Sequence, residues 1–491
     1  MPHCGHCRGQ SPHRYRRAHR SACCLFCSPD DMDDCTPNRM PLIRSVSGLR
    51  ATTTDGALSD EVVCRHIRAF AQMQPNGALA VGYDGRRGGR EIAELVADQL
   101  ARCGRNVLEL GCVPTPTVQL VVERNRLAGG VVVTASHNGA EWNGLKFLDA
   151  DGVFLLPERA AMLWQQSDRA SAPASGVSGT RTQHSDPIGE HIAALEQVEF
   201  IAKRRASGAF EGMRITLDAV NASGSRALPA LMEWLGAQPI AVFCDGSGNF
   251  PHPPEPLPAH LTQLQRKTAE HHATVGAALD PDGDRLVLVH GSGQPVSEEK
   301  TIVLATESVL RFLGGGVVVV NASTTSEVEH IAQRYGAQVL RSAVGEVNVV
   351  TLMRSSGAVV GGEGSGGVIL PACHYGRDAL VGIALVLALR SQLSDTEWDE
   401  RLLAAPLVMH KRTLRWNGNF AAVKEKLGAA FPDASEVWTG DGIRFRWSDR
   451  WLHIRSSNTE PILRLIAESP TADATVDLLD RAETLLRGYA D

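Results

Sequence analysis

One pattern of apolar and polar residues occurs three times along the chain: a short apolar strand, a polar loop, an amphipathic helix, a glycine and a second short strand. The strands that begin the three units are 78–83, 214–218 and 317–320. A glycine follows the helix of each unit, at a position where a positive φ is favoured. These glycines are Gly104, Gly236 and Gly336. Strand–helix–strand units imply parallel pairing and right-handed crossovers. The pattern therefore predicts three related α/β domains in tandem.

The C-terminal part of the chain follows another pattern. Segments 438–447 and 451–454 have strand character, and the dipeptides Asp-Gly at 441–442 and Ser-Asp at 448–449 are turn signals. A strand over 463–467 and a helix over 472–489 follow. Antiparallel strands combined with a terminal helix predict an α+β domain.

The two patterns together predict the fold class. It is α/β, with three tandem related α/β domains whose sheets are mixed but largely parallel, plus a C-terminal α+β domain, around a central cleft. Domain boundaries are expected where small, turn-forming residues accumulate. The predicted domains are 40–180, 187–292, 293–403 and 406–491.

Length and charge limit the possible functions. The 491 residues suit three or four domains of ~100–200 residues each. A formal net charge of −6 gives no basic face of the kind that nucleic-acid binding requires, so no nucleic-acid partner is expected. The longest apolar helix candidate, 379–389, is far shorter than the ~20 residues of a membrane span. We expect a soluble protein without a membrane partner, either a monomer or a homodimer.

The cysteines divide the chain. Five are scattered singly through apolar segments, as is typical of reduced cytoplasmic thiols: Cys64, Cys103, Cys112, Cys244 and Cys373. Six lie in residues 1–39, and four of these have zinc-ribbon spacing: Cys4, Cys7, Cys24 and Cys27. Strand patterning is missing there, so we predict that residues 1–39 are disordered or that translation starts at Met40. No apolar segment follows their arginines, which argues against a secretory signal.

A loop after the first β-branched run carries a candidate reactive serine. Residues 131–134 predict a buried strand that stops at the sequence Ala-Ser-His-Asn of 135–138. The hydroxyl of Ser136 should project from a tight loop at the strand end, where ligands bind in open α/β sheets. The alternative is an Asx-type turn in which Ser136 and Asn138 only satisfy nearby backbone groups.

A second loop carries three carboxylates. Asp280, Asp282 and Asp284 follow an apolar strand at 275–279. Carboxylates at positions i, i+2 and i+4 of one loop can face one point, which suits a hard cation such as Mg²⁺ or Ca²⁺. An EF-hand is excluded because Arg285 and Gly291 stand where it requires Gly and Glu. The alternative, a solvated acidic turn, would crowd three anions together without a cation.

A third loop, at 361–367, is rich in glycine and contains G-x-G-x-x-G. A dinucleotide site would continue into a helix, whereas a strand-like segment ending at Pro371 follows here. We predict instead that the glycines let a ligand approach the backbone, while Glu363 and Ser365 hydrogen-bond its hydroxyl groups.

A fourth loop, at 455–461, follows a strand and begins with Arg455. A guanidinium, short polar side chains and backbone N–H groups in one turn suit a phosphate group. The alternative is a polar hairpin loop. No Walker A sequence occurs in the chain, which argues against nucleotide hydrolysis of that type.

Four such loops in this order resemble the α-D-phosphohexomutase superfamily, over essentially the whole chain from Pro41 onwards. The phosphoserine loop of that family, T-A-S-H-N-P with a later N-G-x-K, is similar to 134–138 and 143–146, although Gly139 stands where Pro is usual. Its metal loop D-x-D-x-D-R is similar to 280–285, and its sugar-reading loop G-E-x-S-G to 362–366. Its phosphate loop R-x-S-[GN]-T-E-P matches Arg455, Ser457, Asn458 and Thr459.

The resemblance implies an isomerase that interconverts hexose 6-phosphates and hexose 1-phosphates. Phosphorylated Ser136 would donate its phosphoryl group to the sugar phosphate, giving a bound hexose 1,6-bisphosphate that turns over and returns the other phosphoryl group. Mg²⁺ held by the three Asp residues and an oxygen on Ser136 would stabilise the transferring group.

The resemblance also implies roles for the basic residues of the four loops. Arg50, Lys146 and Arg285 would add positive charge. The residue that serves as general base is left open between His137 and Lys146, and the alternative is that both only orient phosphate. The group that would hold the non-reacting phosphate comprises Arg455, Ser457, Asn458 and Thr459.

The sugar is the least defined part. Residues 363–367 lack the His that ends this loop in better-known glucose and mannose mutases. With segments 45–50, 343–348 and 374–378, the loop is most similar to the phosphoglucosamine mutase branch, which implies conversion of glucosamine 6-phosphate to glucosamine 1-phosphate. A phosphomannomutase/phosphoglucomutase is the alternative. A silent sugar-phosphate-binding protein and a Mg²⁺-dependent phosphatase are alternatives from other classes.

Overall fold

Four sheets follow one another along this computed structural model, which describes residues 42–54, 56–169, 176–457 and 461–489. Each sheet and the helices around it form one domain. The prediction for residues 1–39, including their zinc-type cysteine spacing, lies outside the described residues.

The first domain has the largest sheet. Its strands are β1 (Ile43–Ser45), β2 (Gly48–Thr52), β3 (Leu79–Tyr83), β4 (Val107–Cys112), β5 (Gly130–Val133), β6 (Trp142–Leu148) and β7 (Arg181–Gln183). Its helices are α1 (Asp60–Met73), α2 (Gly89–Arg102), α3 (Thr115–Arg124) and α4 (Pro157–Ser167). The strand order is β1-β2-β6-β5-β3-β4-β7. Because β7 pairs in parallel with β4, the sheet continues a few residues past position 180.

The second domain has a four-stranded sheet. Its helices are α5 (Pro187–Glu196), α6 (Glu199–Ala206), α7 (Gly224–Leu235) and α8 (Thr262–Glu270), with a short 3₁₀ helix at Pro258–His260. Its strands are β8 (Arg214–Asp218), β9 (Gln238–Phe243), β10 (Val275–Leu279) and β11 (Leu286–His290). The order is β11-β10-β8-β9.

The third domain repeats this arrangement. Its helices are α9 (Glu299–Leu313), α10 (Glu327–Arg334), α11 (Glu346–Ser356), α12 (Ala379–Arg390) and α13 (Asp395–Leu403). Its strands are β12 (Val317–Asn321), β13 (Gln338–Ser342), β14 (Val360–Glu363) and β15 (Gly367–Ile369). The order is β13-β12-β14-β15.

The fourth domain has an antiparallel sheet. Its strands are β16 (Val408–Arg415), β17 (Glu436–Trp438), β18 (Ile443–Arg446), β19 (Trp451–Ser456) and β20 (Ile462–Ser469), and its helices are α14 (Phe420–Ala430) and α15 (Ala472–Arg487). The order is β16-β20-β19-β18-β17, with antiparallel neighbours throughout. Gly442 has a φ of +69° in the turn between β17 and β18, at the Asp-Gly signal. The predicted α+β domain is confirmed.

The first three domains share one strand order. The central strands β3, β8 and β12 each pair in parallel on both sides, and the strand that follows on one side forms an antiparallel hairpin. The predicted glycines follow their helices with positive φ values of 78° at Gly104, 88° at Gly236 and 62° at Gly336. The prediction of three related α/β domains with mixed sheets is therefore confirmed.

The shared order places the candidate loops at equivalent points. Residues 134–141 connect β5 to β6, residues 280–285 connect β10 to β11, and residues 364–366 connect β14 to β15. Each loop therefore closes the same antiparallel hairpin of its own domain. The fourth candidate loop connects β19 to β20, which also form an antiparallel pair.

Apolar packing joins the first three domains. One continuous cluster of buried residues includes Val118 from the first domain, Leu228 from the second and Leu385 from the third. The fourth domain has a separate core, which includes Phe445 and Leu452. Within the described part of the chain, no helix combines the length and the apolar character needed to cross a membrane.

Candidate active site

Ser136 lies directly after β5 in a left-handed backbone conformation, with a φ of +50°. Its backbone N–H donates a hydrogen bond to Thr134 Oγ1 at 2.8 Å. Its hydroxyl oxygen lies 3.3 Å from Oδ2 of Asp280 in the second domain, and Asn138 Oδ1 accepts from Nη1 of Arg50 at 3.0 Å. Both side chains therefore make contacts beyond their own turn, unlike the local Asx-type alternative.

The buried side chain of Arg86 holds the serine loop in shape. Its Nε donates to Asp84 Oδ2 at 2.8 Å, and its Nη1 donates to the carbonyl oxygen of Trp142 at 2.9 Å. Its Nη2 donates to the carbonyl oxygen of Ser136 itself. Asp84 Oδ2 also accepts from Thr134 Oγ1 at 2.6 Å. The left-handed conformation of Ser136 is thus fixed from both sides of the residue.

The three carboxylates of the second loop are buried and converge. Asp280, Asp282 and Asp284 each offer an oxygen, and these atoms lie within 4.8 Å of one another. Oδ2 of Asp282 accepts from Lys146 Nζ at 2.6 Å and from Thr115 Oγ1 at 2.6 Å. The Oδ1 atoms of Asp282 and Asp284 are buried and accept no hydrogen bond from any described residue. Carboxylate oxygens that converge and accept no hydrogen bond fit a hard divalent cation.

The charges around these carboxylates also fit a cation. Burial and the neighbouring charges of Asp284 and Asp282 raise the pKa of Asp280 well above its ordinary value. Burial alone would raise the pKa of Asp284, but Arg377, Lys146 and Arg285 outweigh burial and lower it. The cluster contains five carboxylates and three basic side chains, so two negative charges are unbalanced when all are ionised: Asp280, Asp282, Asp284, Glu346, Glu363, Lys146, Arg285 and Arg377.

The predicted basic residues surround this cluster. Burial alone would lower the pKa of Lys146, but the charges of Asp282 and Asp284 outweigh it and raise the pKa. Lys146, on β6, therefore contributes a positive charge. Nε of Arg285 lies 3.7 Å from Asp284 Oδ1. Burial and the charge of Arg285 lower the pKa of His137 to about 3, which keeps its imidazole neutral.

The sugar-reading loop lies beside the metal loop. The N–H of Leu286 donates to the carbonyl oxygen of Gly366 at 3.0 Å, and a Cβ at Gly366 would lie 2.3 Å from the carbonyl oxygen of Leu286. Glycine is therefore required for this close approach. Glu363, at the end of β14, accepts at Oε1 from Asn321 Nδ2 at 2.7 Å and from the N–H of Gly345 at 2.9 Å. Ser365 lies in the turn and is half-buried.

The phosphate-binding residues are described only in part. Arg455, on β19, donates from Nε to Asp441 Oδ2 at 3.1 Å, and the same oxygen accepts from the N–H of Val344 at 3.0 Å. The N–H of Ser457 donates to the carbonyl oxygen of Ile462 at 2.9 Å. Asn458 and Thr459 lie outside the described residues. Asp441 thus connects Arg455 to the segment whose Gly345 contacts Glu363.

Sequence reasoning assigned no role to several residues that organise the site, among them Arg377, Asp441 and Thr115. Arg377 forms ion pairs with Asp284, Glu363 and Glu346. Arg377 belongs to segment 374–378, which the sequence indicated only as a feature that distinguishes branches of the family. The three carboxylates that pair with it come from distant parts of the chain. The Asp-Gly pair at 441–442 indicates a turn, and that signal does not predict that the carboxylate of Asp441 also accepts hydrogen bonds from Arg455 and Val344.

A second cluster of possible metal ligands consists of His191, His374 and Asp378. Nε2 of His191 and Nε2 of His374 lie 2.7 Å and 2.9 Å from Oδ2 of Asp378. Oδ1 of Asp378 accepts from the N–H groups of Leu380 and Val381 at the start of α12. Because these atoms satisfy one another by hydrogen bonds, the cluster is a structural connection between the second and third domains.

Four family models match the chain in sequence. They are described as phosphoglucomutase/phosphomannomutase alpha/beta/alpha domain I over residues 42–173, domain II over 189–293, domain III over 297–403, and the C-terminal domain over 410–485. They place the serine loop, the metal loop, the sugar loop and the phosphate loop in four successive family domains.

Similar proteins carry names from the same family. A phosphoglucomutase/phosphomannomutase of Thermococcus kodakarensis is 31% identical over 417 residues, which cover 83% of this chain and 89% of the relative. A probable phosphoglucosamine mutase of Methanopyrus kandleri is 28% identical over 449 residues, covering 90% and 97%. The crystal structure of a phosphoglucomutase/phosphomannomutase family protein from Burkholderia thailandensis has a TM-score of 0.77 at 26% identity, covering 91% of this chain and 98% of that chain.

The fold, the four loops and these similarities agree. The chain belongs to the phosphoglucomutase/phosphomannomutase family, within the α-D-phosphohexomutase superfamily. It is an isomerase, a phosphohexomutase that moves a phosphoryl group within a sugar phosphate. The resemblance noted in the sequence is therefore confirmed.

Proposed function

We propose that the enzyme interconverts hexose 6-phosphates and hexose 1-phosphates through phosphorylated Ser136 and a bound hexose 1,6-bisphosphate. The observation that carries this proposal is the 3.3 Å distance between the hydroxyl oxygen of Ser136 and Asp280 Oδ2. It places a serine hydroxyl, held in a left-handed conformation, at the edge of a buried three-carboxylate cluster. A hydroxyl beside a cation site is suited to carrying a phosphoryl group.

The transfer would proceed as two balanced displacements. A sugar hydroxyl oxygen bonds to the phosphorus atom on Ser136, its proton leaves to a base, the bond between phosphorus and Oγ breaks, and Oγ takes up a proton. In the second displacement Oγ of Ser136 loses its proton and bonds to the phosphorus atom at the other end of the sugar, and the sugar oxygen released there gains a proton. The base would be His137 or Lys146, and Lys146 could act only after it loses the proton that Asp282 and Asp284 stabilise. The alternative is that both residues only orient phosphate.

The other residues would bind and stabilise charge. Mg²⁺ would be held by the three Asp residues and an oxygen on Ser136, and it would supply positive charge to the transferring group. Lys146, Arg285 and Arg50 would add positive charge near the same point. Glu363 and Ser365 would bind sugar hydroxyl groups. The phosphate that does not react would be held by Arg455, Ser457, Asn458 and Thr459.

The covalent mechanism is tested by intact-protein mass spectrometry. After incubation with glucose 1,6-bisphosphate and Mg²⁺, the wild-type protein should gain the mass of one phosphoryl group, and Ser136→Ala should gain none. Ser435→Ala is the matched control, because that hydroxyl is exposed and bonds only its own hairpin. An unmodified wild-type protein would favour a silent sugar-phosphate binder, and release of inorganic phosphate from a hexose 6-phosphate would favour a phosphatase.

For the sugar, we propose glucosamine 6-phosphate. The loop at 363–367, without the His of the glucose and mannose mutases, supports this choice, as does the name of the Methanopyrus kandleri relative. The alternative, a phosphomannomutase/phosphoglucomutase, is supported by the name of the Thermococcus kodakarensis relative. A coupled assay of glucosamine, glucose and mannose 6-phosphates side by side decides between them. The highest kcat/KM should belong to glucosamine 6-phosphate, and a higher value for either other sugar would contradict the proposal.

We also propose that the enzyme works in the cytoplasm. Its described cysteines are all free thiols, as expected in a reducing compartment: Cys64, Cys103, Cys112, Cys244 and Cys373. Fractionation of the source cells, with activity followed in each fraction, tests this location.

A further inference from the structure

The guanidinium group of Arg377 joins the metal loop to the sugar-reading loop. Its Nη2 donates to Asp284 Oδ2 at 2.6 Å, and its Nη1 donates to Oε2 of Glu363. Its Nε donates to Glu346 Oε2 at 3.1 Å. Each of its three nitrogens therefore contacts a different buried carboxylate, and two of these carboxylates belong to different candidate loops.

The contact with Asp284 determines which of its oxygens is available. Oδ2 accepts from Arg377 and, at 3.3 Å, from Nζ of Lys146. Oδ1 is buried and has no hydrogen-bond donor among the described residues. Arg377 therefore fixes the rotation of the Asp284 carboxylate so that Oδ1 is left to face a cation.

The contact with Glu363 fixes that side chain in the same way. Oε1 is held by Asn321 Nδ2 and by the N–H of Gly345, and Oε2 is held by Arg377. Burial alone would raise the pKa of Glu363, but the charge of Arg377 and the bond from Asn321 outweigh burial and lower it. Glu363 is therefore an ionised acceptor with a fixed orientation.

The position of Arg377 is itself fixed by further contacts. Glu346 Oε1 accepts from Gln119 Nε2 at 3.0 Å, so a side chain of the first domain orients the carboxylate that contacts Nε of Arg377. The next residue, Asp378, caps the N-terminus of α12 and is bound to His191 and His374. Both the backbone and the guanidinium plane of Arg377 are therefore fixed, which lets one side chain transmit a displacement from one loop to the other.

We propose that Arg377 is a positioning residue that couples metal binding to sugar binding. It holds Asp284 and Glu363 through the two terminal nitrogens of one rigid guanidinium group. The inference rests on the proposed roles of these two carboxylates as metal ligand and sugar ligand. A lysine cannot replace this arrangement, since its ammonium is a single point charge on a flexible chain. Loss of the guanidinium group therefore affects both sites, although Arg377 touches neither the reacting serine nor its phosphoryl group in the proposed scheme.

The test measures both sites in the variant Arg377→Lys. Mn²⁺ binding is followed by electron paramagnetic resonance without sugar phosphate. KM is measured with the hexose 6-phosphate that the wild-type enzyme converts best. We expect the Mn²⁺ dissociation constant to rise about 10- to 100-fold, as for other residues that orient metal ligands, and KM to rise with it. Arg401→Lys is the matched control, because Arg401 pairs with the buried carboxylate of Glu307, away from both loops, and should change neither quantity.

A second variant keeps the proposal testable if Arg377→Lys does not fold. Glu346→Gln keeps the shape behind the guanidinium but removes a charge, and it should shift both quantities in the same direction by a smaller factor. If the folded variant raises KM alone or the Mn²⁺ dissociation constant alone, or leaves both at the wild-type values, the coupling is refuted. A wild-type protein that fails to bind Mn²⁺ would instead refute the proposed metal site, so the two failures are distinguishable.

Discussion

The hydroxyl oxygen of Ser136 lies 3.3 Å from Oδ2 of Asp280, although the two residues are 144 positions apart in the sequence. Each residue lies in the loop that closes the antiparallel hairpin of its own domain, β5–β6 for Ser136 and β10–β11 for Asp280. The repeated fold therefore brings together two loops that are equivalent in topology and different in chemistry. One loop supplies a hydroxyl group and the other supplies carboxylates.

Replacing Ser136 by alanine should lower kcat by at least about 10³-fold, because the proposed phosphoryl carrier is lost. Circular dichroism and the melting temperature should stay near those of the wild type. Ser435→Ala should retain full activity in the same coupled assay. If Ser136→Ala retains most of its activity, the covalent mechanism is wrong.

Removing the metal should abolish activity in a reversible way. Treatment with a chelator should stop turnover, and added Mg²⁺ should restore it. Saturating Mg²⁺ should also stabilise the folded protein, by about 2.7 kcal/mol at a concentration of 100 times Kd. Asp282→Asn should lose this thermal shift because it removes one of the three buried carboxylates. Asp449→Asn, at an exposed turn, is the control. An equal shift in the Asp282 variant would contradict the proposed site.

Arg86→Lys should lower kcat more than it weakens metal binding. A lysine cannot reproduce the fork that reaches Asp84 and the carbonyl oxygens of Ser136 and Trp142. A displacement of the serine loop by about 1 Å would lower kcat roughly 10²-fold. Mn²⁺ affinity should change less than kcat, because Arg86 has no hydrogen bond to the three metal-loop carboxylates within the described structure, and only the Ser136 oxygen among the proposed ligands is displaced. Arg181→Lys, in the same domain but paired at the surface, should retain kcat.

Asp441→Asn should weaken substrate binding more than turnover. The change removes the charge that orients Arg455, and it weakens the bond from the N–H of Val344. A hydrogen bond to a charged group contributes about 1.5–3 kcal/mol, so KM should rise about tenfold or more while kcat changes less. Asp433→Asn is the control, because Asp433 accepts from Trp447 within the fourth domain. An equal KM in the two variants would show that Asp441 does not act through Arg455.

The stability of the protein should depend on the ionisation of Glu299. Burial raises its pKa from 4.5 to about 7, although Lys411 opposes the shift. Glu299 stays protonated in the folded protein while the unfolded chain ionises. Its contribution to the free energy of unfolding is therefore fully present below pH 4.5 and is lost as the pH rises to about 7. The loss amounts to about 3 kcal/mol for a shift of this size.

The measurement is the free energy of unfolding in urea between pH 4.5 and 8 for the wild type and Glu299→Gln. The wild type should become less stable than the variant as the pH rises. Glu298→Gln removes a neighbouring carboxylate that contacts the same Lys411, and it should retain most of the wild-type dependence. A constant difference between the wild type and Glu299→Gln across this range would show that Glu299 does not titrate there.

The sequence alone predicted the elements whose pattern is local. The strand, helix and glycine of each repeat form where apolar spacing and turn residues indicate, and the two strands of each repeat pair in parallel as predicted. The first strand of the fourth domain, β16, was missed. It is an edge strand in which only Leu414 is buried, so it lacks an apolar alternation.

The contacts that organise the site could not be predicted in this way. Arg377 and Asp284 are 93 positions apart, and Asp441 and Val344 are 97 positions apart. Such pairs depend on how whole domains pack, and a single sequence carries no local signal for them. The reactive groups were visible because they cluster within short loops, whereas their supports are scattered among several domains.

The separate core of the fourth domain has a consequence for folding. The first three domains share one continuous apolar cluster, so none of them can lose its packing without exposing apolar surface of its neighbours. The fourth domain is packed around its own cluster and touches the third through polar pairs such as Lys411 with Glu298. We therefore expect cooperativity to be divided unequally along the chain, with the fourth domain able to unfold and refold while the cluster shared by the first three domains stays packed.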